Sequence, residues 1–160
     1  MNYRIYMDVC CLSRPLDDLE QARIRLEAEA ITEIIQNCEV GTWTLVNSDI
    51  IEFEVNRHSD TFKKELTGAI LAKAKAYITT SVEIMHRADD LMKLSFKFHD
   101  ALHLAFAESG AVDVFLTTDD RLLRKAQQNL NSIKIKVENP VIWLISTLHN
   151  EVDTHETNGN

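Results

Sequence analysis

The chain of 160 residues lacks any apolar run approaching the roughly 20 residues needed to span a bilayer. Its opening stretch, Met1 to Asp8, has no apolar core of the kind a signal peptide requires, so a cytoplasmic protein is expected. It is also poor in cysteine. Cys10, Cys11 and Cys38 are an odd number with two adjacent, which excludes a disulfide framework and fits no zinc-finger spacing. Buried thiols in a reducing compartment are the expected reading. No internal repeat and no domain-separating linker is present, and a mass of 18.3 kDa suits one compact domain over residues 1–149.

Positive charge is scarce as well. Lys and Arg number 17 against 25 Asp and Glu, a net charge of −8, which argues at first against a nucleic-acid partner. The excess is local, however. Glu151, Asp153 and Glu156 lie in a polar tail, residues 150–160, that has no Lys or Arg and is expected to be disordered. Four more belong to acids singled out below, which leaves the rest of the surface close to neutral.

What is present is an alternation of short β-like runs with amphipathic helical stretches, the pattern of a parallel sheet covered by helices. Strands are expected at Tyr3 to Met7, Thr42 to Val46, Tyr77 to Thr79, Val112 to Leu116 and Ile133 to Val137. Helices are expected from Leu19 to Ile35 (apolar Ala22, Leu26, Ala30 and Ile34), Ser48 or Asp49 to Asn56, Asp60 to Ala74, Val82 to Leu94 and His99 to Glu108. Two more follow: one capped by Thr118 or Asp119, and one opened by Pro140 and ending near Leu148. Gly41 breaks the chain before the second strand, and Ser109-Gly110 ends the helix before the fourth. The expected fold class is α/β, a three-layer α/β/α arrangement with a central parallel sheet of four to five strands.

Open parallel sheets bind ligands at the carboxyl ends of their strands. Asp8 directly follows the first strand, and Asp119 follows the strand ending at Leu116; each also suits a turn or helix cap. At about 100° per residue, Glu54 projects between Ile50 and Ile51, in an apolar arc that includes Phe53 and Val55. Asp49, Glu52 and Asn56 fall on the other face. A glutamate aimed into the core is costly unless it is paired or holds a metal. Asp100 opens a helix that is apolar almost all round, from Ala101 to Ala107, and its place in the first turn is favoured by the helix dipole. Capping explains each acid singly, but not four at one end of one sheet. Converging carboxylates without cysteine suit Mg²⁺ or Mn²⁺, and the reaction class they point to is phosphodiester hydrolysis.

At these residues the chain resembles the PIN-domain family, which includes the VapC-type toxin ribonucleases. The first strand ending in Asp8 is similar to that family's first acidic position. Ser48 to Val55 resembles its Ser-then-Glu motif, with Glu54 six residues after the serine. Asp100 to Ala105 resembles the third motif, and Thr117-Thr118-Asp119 the fourth, which selects Asp119 over Asp120. Leu12 to Pro15 and Asn139 to Trp143 resemble features of stand-alone bacterial members. Cys10 departs, standing where a small polar residue is common. The resemblance implies an endoribonuclease using Mg²⁺ or Mn²⁺ on Asp8, Glu54, Asp100 and Asp119, frequent homodimers, and the toxin role with an antitoxin partner. Ser48, His103, Thr117 and Asp120 are then expected to support the acids. Arg14, Arg121 and Arg124, with Lys125, are candidates to meet RNA phosphates.

Three other readings compete. His99 and His103, four apart on a helix around Asp100, suggest a zinc hydrolase, although the familiar motif has Glu after the first His and a third ligand is not apparent. Asp8 as a phosphoryl-accepting nucleophile would want a second Asp at position 10, which is Cys10. A PIN fold kept as a binding or regulatory module with little activity is the third.

Overall fold

The run Ile5-Tyr6-Met7 has no residue to offer water, and such a strand is stable only where both faces of the sheet are covered. It becomes the middle of the fold. In the computed structural model, which describes residues 1–157, the elements are β1 (Arg4–Met7), α1 (Val9–Ser13), α2 (Ala22–Glu39), β2 (Thr44–Ser48), α3 (Asp49–Asn56), α4 (Thr61–Leu71), β3 (Ala76–Ile78), α5 (Val82–Lys93), α6 (Phe98–Ser109), β4 (Val114–Leu116), α7 (Asp120–Gln128), β5 (Lys136–Glu138) and α8 (Pro140–Thr157). A 3-10 turn covers Arg14–Leu16.

All five strands are parallel, in the order β3-β2-β1-β4-β5. This is the flanked α/β arrangement expected from the sequence. The two central strands carry the fully buried Ile5, Tyr6, Met7, Val114, Phe115 and Leu116. The edge strands β3 and β5 have only 3 residues each, and Lys136 on β5 is exposed, which discourages pairing with another sheet. Helix α6 is buried from Ala101 to Ala107, as its all-round apolarity requires, and packs along α5, while α2 packs on α8. A side chain at Gly110 would collide with Ile78, so glycine is demanded there by close approach. Gly41, by contrast, has φ +88, which only glycine adopts freely.

Four expectations are corrected. Helix α2 starts at Ala22 rather than Leu19, and its inward face is Glu27, Ala28, Ala30, Ile31, Ile34, Ile35 and Cys38; Ala30 and Ile34 are buried as expected, but Leu26 points out, 55% exposed. Phe53 is also outside the core, 50% exposed. A short helix, α1, follows Asp8 directly, because the Asp8 carboxylate caps it. Finally, α8 does not stop at Leu148 and the tail is not disordered through 157. No Gly or Pro interrupts it before Gly159, and local contacts such as the His149–Asp153 pair at 3.6 Å support the extra turns. Residues 158–160 of the expected tail lie outside the described residues.

Candidate active site at the carboxyl edge of the sheet

Strand β1 is the point where the strand order reverses: β2 lies on one side of it and β4 on the other. A crevice opens at such a switch point, beyond the carboxyl ends of the strands. Asp8 follows β1 there and Asp119 follows β4. Glu54 arrives on α3, which follows β2, and Asp100 on the first turn of α6.

Asp8 is nearly buried and held from both sides. The Cys11 backbone N–H donates to its Oδ1 at 2.9 Å, and the Thr117 hydroxyl donates to its Oδ2 at 2.5 Å. Burial pushes its pKa up from 3.8 to about 6; the Thr117 and Cys11 hydrogen bonds pull the other way, and the charge of Asp100 adds to the rise. The same Thr117 oxygen accepts the Asp119 backbone N–H at 3.1 Å, so one hydroxyl ties the two loops together. Asp119 caps α7, accepting from the N–H groups of Arg121 at 2.9 Å and Leu122 at 3.4 Å. Asp8 and Asp119 thus both act as helix caps, of α1 and α7.

Asp100 and Asp119 face one cleft, together with Lys97, Arg121 and Lys125. No described side chain or backbone group donates a hydrogen bond to the Asp100 carboxylate. Burial, and then the charge of Asp119, raise its pKa. Cys10 is ringed by the same groups: burial and then Asp8, Asp119 and Glu54 push its thiol up to about 11. Cys10 itself is exposed, unlike the buried thiol expected from the sequence.

Glu54 is partly buried, with its two oxygens at ion-pair distance from two histidines: His99 Nδ1 at 3.2 Å and His103 Nε2 at 3.0 Å. The Nε2 of His103 makes no well-aimed hydrogen bond, so the contact with Glu54 is one of proximity. Burial pushes the Glu54 pKa up, but His103 and then His99 outweigh it and hold the carboxyl below its usual range. The other nitrogen of His103, Nδ1, lies 2.7 Å from the Tyr6 hydroxyl, which in turn lies 3.1 Å from Ser48 Oγ. Ser48 also caps α3 through the Ile51 N–H at 3.3 Å. A buried line thus runs Ser48–Tyr6–His103–Glu54. Tyr6 lies on β1, two residues before Asp8, which follows the strand.

Other sequence candidates go elsewhere. Asp120 turns to the surface in a two-pronged pair with Arg23 at 2.6 and 2.7 Å. Arg14, a candidate for phosphate, is committed to Glu27 at 3.0 Å and Asp17 at 3.1 Å. Arg124 lines a separate cleft with Arg23 and Asp120, while Arg121 borders the acids. Sequence reasoning missed Tyr6, Lys97 and the buried Glu27. A tyrosine inside a fully buried strand is the signal for the first, because its hydroxyl must find partners.

Among the described residues, no three His, Cys, Asp or Glu side chains converge closely enough to enclose one ion. In kind, the donors do fit a hard divalent cation: they are carboxylate oxygens, two of them raised in pKa by burial and mutual repulsion, and Asp100 has no protein donor. They fit zinc poorly. His103 has Tyr6 at one nitrogen and Glu54 at the other, and His99 faces the same glutamate.

No family model and no curated protein matches the chain. Solved structures that share its architecture include the following two. One is VapBC-1 from nontypeable Haemophilus influenzae, with 13% identity and a TM-score of 0.53, covering 86% of this chain and 98% of the other. The second is VapBC2 from Rickettsia felis bound to a DNA fragment from their promoter, with 13% identity and a TM-score of 0.51, covering 85% and 98%. The likeness at this identity is one of fold, and the fold is PIN-like.

Proposed function

We propose that the chain is a metal-dependent phosphodiester hydrolase acting on RNA, with Mg²⁺ or Mn²⁺ held by Asp8, Glu54, Asp100 and Asp119. The observation that carries this reading is the arrival of four carboxylates, from four separate segments, at the switch point of one parallel sheet. A divalent cation bound there would polarise the phosphate and lower the pKa of an attacking water.

The chain's own residues prepare that place. Thr117 and the Cys11 N–H fix the direction of the Asp8 carboxylate, and Thr117 sets the start of the Asp119 loop against it. Tyr6 and His103 orient Glu54 from beneath. Lys97, Arg121 and Lys125 flank Asp100 and Asp119 and offset phosphate charge on the approach. The likeness in fold to two VapBC proteins supports the further reading that the chain is the toxin of a toxin–antitoxin pair and takes an antitoxin protein as partner.

A second reading, a PIN-like module that binds without cleaving, is favoured by the absence of a closed three-ligand cluster among the described residues and by the net charge of −8. The two part in one assay. RNA is incubated with the protein in Mn²⁺, in EDTA and with the Asp8→Asn variant in Mn²⁺. Cleavage confined to the first condition supports the hydrolase; intact RNA in all three, with RNA still bound, supports the binding module.

A further inference from the structure

Two phenylalanines stand in water beside the acids. Phe53 immediately precedes Glu54 on α3, Phe98 lies two residues before Asp100 on α6, and each is 50% exposed. A single exposed aromatic is ordinary. These two are set differently, because charged and aromatic groups share their surroundings. The Arg57 guanidinium lies 5.3 Å from the centroid of the Phe53 ring, over its face. The His99 ring meets Phe98 edge-on at 5.5 Å, with an interplanar angle of 69°. Phe53, Arg57, His99 and Glu54 line an open cleft of about 410 Å³.

The cleft adjoins the acids through Glu54. Across the start of α6, where His99 and Asp100 are consecutive, lies the second cleft with Lys97, Arg121 and Lys125. Flat apolar rings beside guanidinium groups, with ammonium groups a short step along, match the alternation of base and phosphate in a nucleic-acid strand. Only an unpaired base has a face free to lie on such a surface, since duplex bases are stacked on one another.

We infer that Phe53, Arg57 and His99 form a stacking subsite for an unpaired nucleobase next to the scissile phosphate. The placement beside the scissile phosphate rests on the hydrolase reading; the stacking itself does not.

The test uses the Phe53→Trp variant and an adenine hexaribonucleotide, in Ca²⁺ and separately in EDTA. The native tryptophans, Trp43 and Trp143, are buried, so a ligand-dependent change in emission reports the introduced indole. Expected is quenching by the hexamer, and none by an abasic hexamer or by the same strand in a duplex. In parallel, fluorescence anisotropy should show Phe53→Ala binding a labelled hexamer about tenfold more weakly than wild type, the scale of one lost base–aromatic stack. The exposed Leu130→Ala, in the turn after α7, should bind as wild type does. Equal quenching by hexamer and duplex, or unchanged hexamer binding by Phe53→Ala, overturns the subsite. A protein that quenches selectively yet cleaves nothing in Mn²⁺ keeps the subsite and loses the hydrolase reading. One that cleaves RNA without selective quenching does the reverse.

Discussion

Replacing Asp8 by Asn should change the stability of the metal-free protein in a way that depends on pH. The folded chain holds the Asp8 proton up to about pH 6, whereas the ordinary carboxyl releases it near 3.8. Between those values the folded state binds more protons than the unfolded one, so stability falls as pH rises through the window. Below it Asp8 is neutral in both states and costs nothing; above it the buried charge is present in full. At 1.36 kcal/mol per unit of pKa, a rise from 3.8 to about 6 is worth about 3 kcal/mol. For a domain of this size that is roughly 6–12 °C in Tm. Asn is neutral throughout. Its amide meets two donors, the Thr117 hydroxyl and the Cys11 N–H, and that mismatch lowers Tm by an amount that does not vary with pH. The readout is therefore the difference in Tm between Asp8→Asn and wild type, followed from pH 4 to pH 7.5 in EDTA by circular dichroism. It should move in favour of the variant by several degrees, with its midpoint between pH 4 and 6. Taking the difference cancels other carboxyls, such as Asp17 and Asp49, whose lowered pKa values act in the opposite direction. A difference that stays flat across the range would refute the claim that Asp8 is a buried carboxylate under electrostatic load.

Mn²⁺ should raise the Tm of the wild type, by about 2.7 kcal/mol of stabilisation at a hundred times Kd, and Glu54→Gln or Asp100→Asn should lose the response in a thermal-shift assay while remaining folded. Tyr6→Phe removes the hydroxyl shared by His103 and Ser48, leaving a buried ring nitrogen without its partner. It should cost about 1–3 kcal/mol in denaturant unfolding and also weaken the Mn²⁺ response, which loss of packing alone would not do. Arg14→Ala leaves the fully buried Glu27 with Asn139 at 2.8 Å and Arg23 at 3.6 Å. Since breaking a buried pair costs about 3–5 kcal/mol, unfolding in urea should shift to clearly lower concentration, with an unchanged m-value.

How far the sequence could be read depended on the range of the interaction that decided each feature. Uninterrupted apolar runs made β1 and β4 legible, because a strand buried on both faces has no alternation to disguise it. The boundaries moved by two residues or so, as with Thr42 to Val46 becoming Thr44–Ser48. Helix faces were read less well. Periodicity gave Leu26 to the core, but the buried residue is Glu27, because Arg14 and Asn139, distant in sequence, satisfy its carboxylate. Glu54 was expected in the core and Glu52 outside it, yet both are only partly buried, and the neighbours of Glu54, His99 and His103, lie 45 and more residues away. Thr117 was expected to support the acids, and its hydroxyl bonds both the Asp8 carboxylate and the Asp119 backbone N–H. Asp120 was expected to do the same and is drawn off by Arg23. No local pattern marks Tyr6 as the partner of His103; only the packing of α6 on the sheet brings the two together.

The net charge, which seemed to weigh against a nucleic-acid partner, loses force once the charges are placed. Arg14, Arg23 and Arg87 are consumed by Glu27, Asp120 and Glu108, so those pairs contribute little field at a distance. The cations that border the acids, Arg57 on one side and Lys97, Arg121 and Lys125 on the other, have no ion-pair partner among the described residues. A strand passing between the two clefts would meet free positive charge at each end and carboxylates in the middle. Without a cation the middle repels it; with one, the repulsion becomes attraction. Under the proposed function, a bound cation strengthens strand binding in the middle, while the cationic ends attract a strand without it.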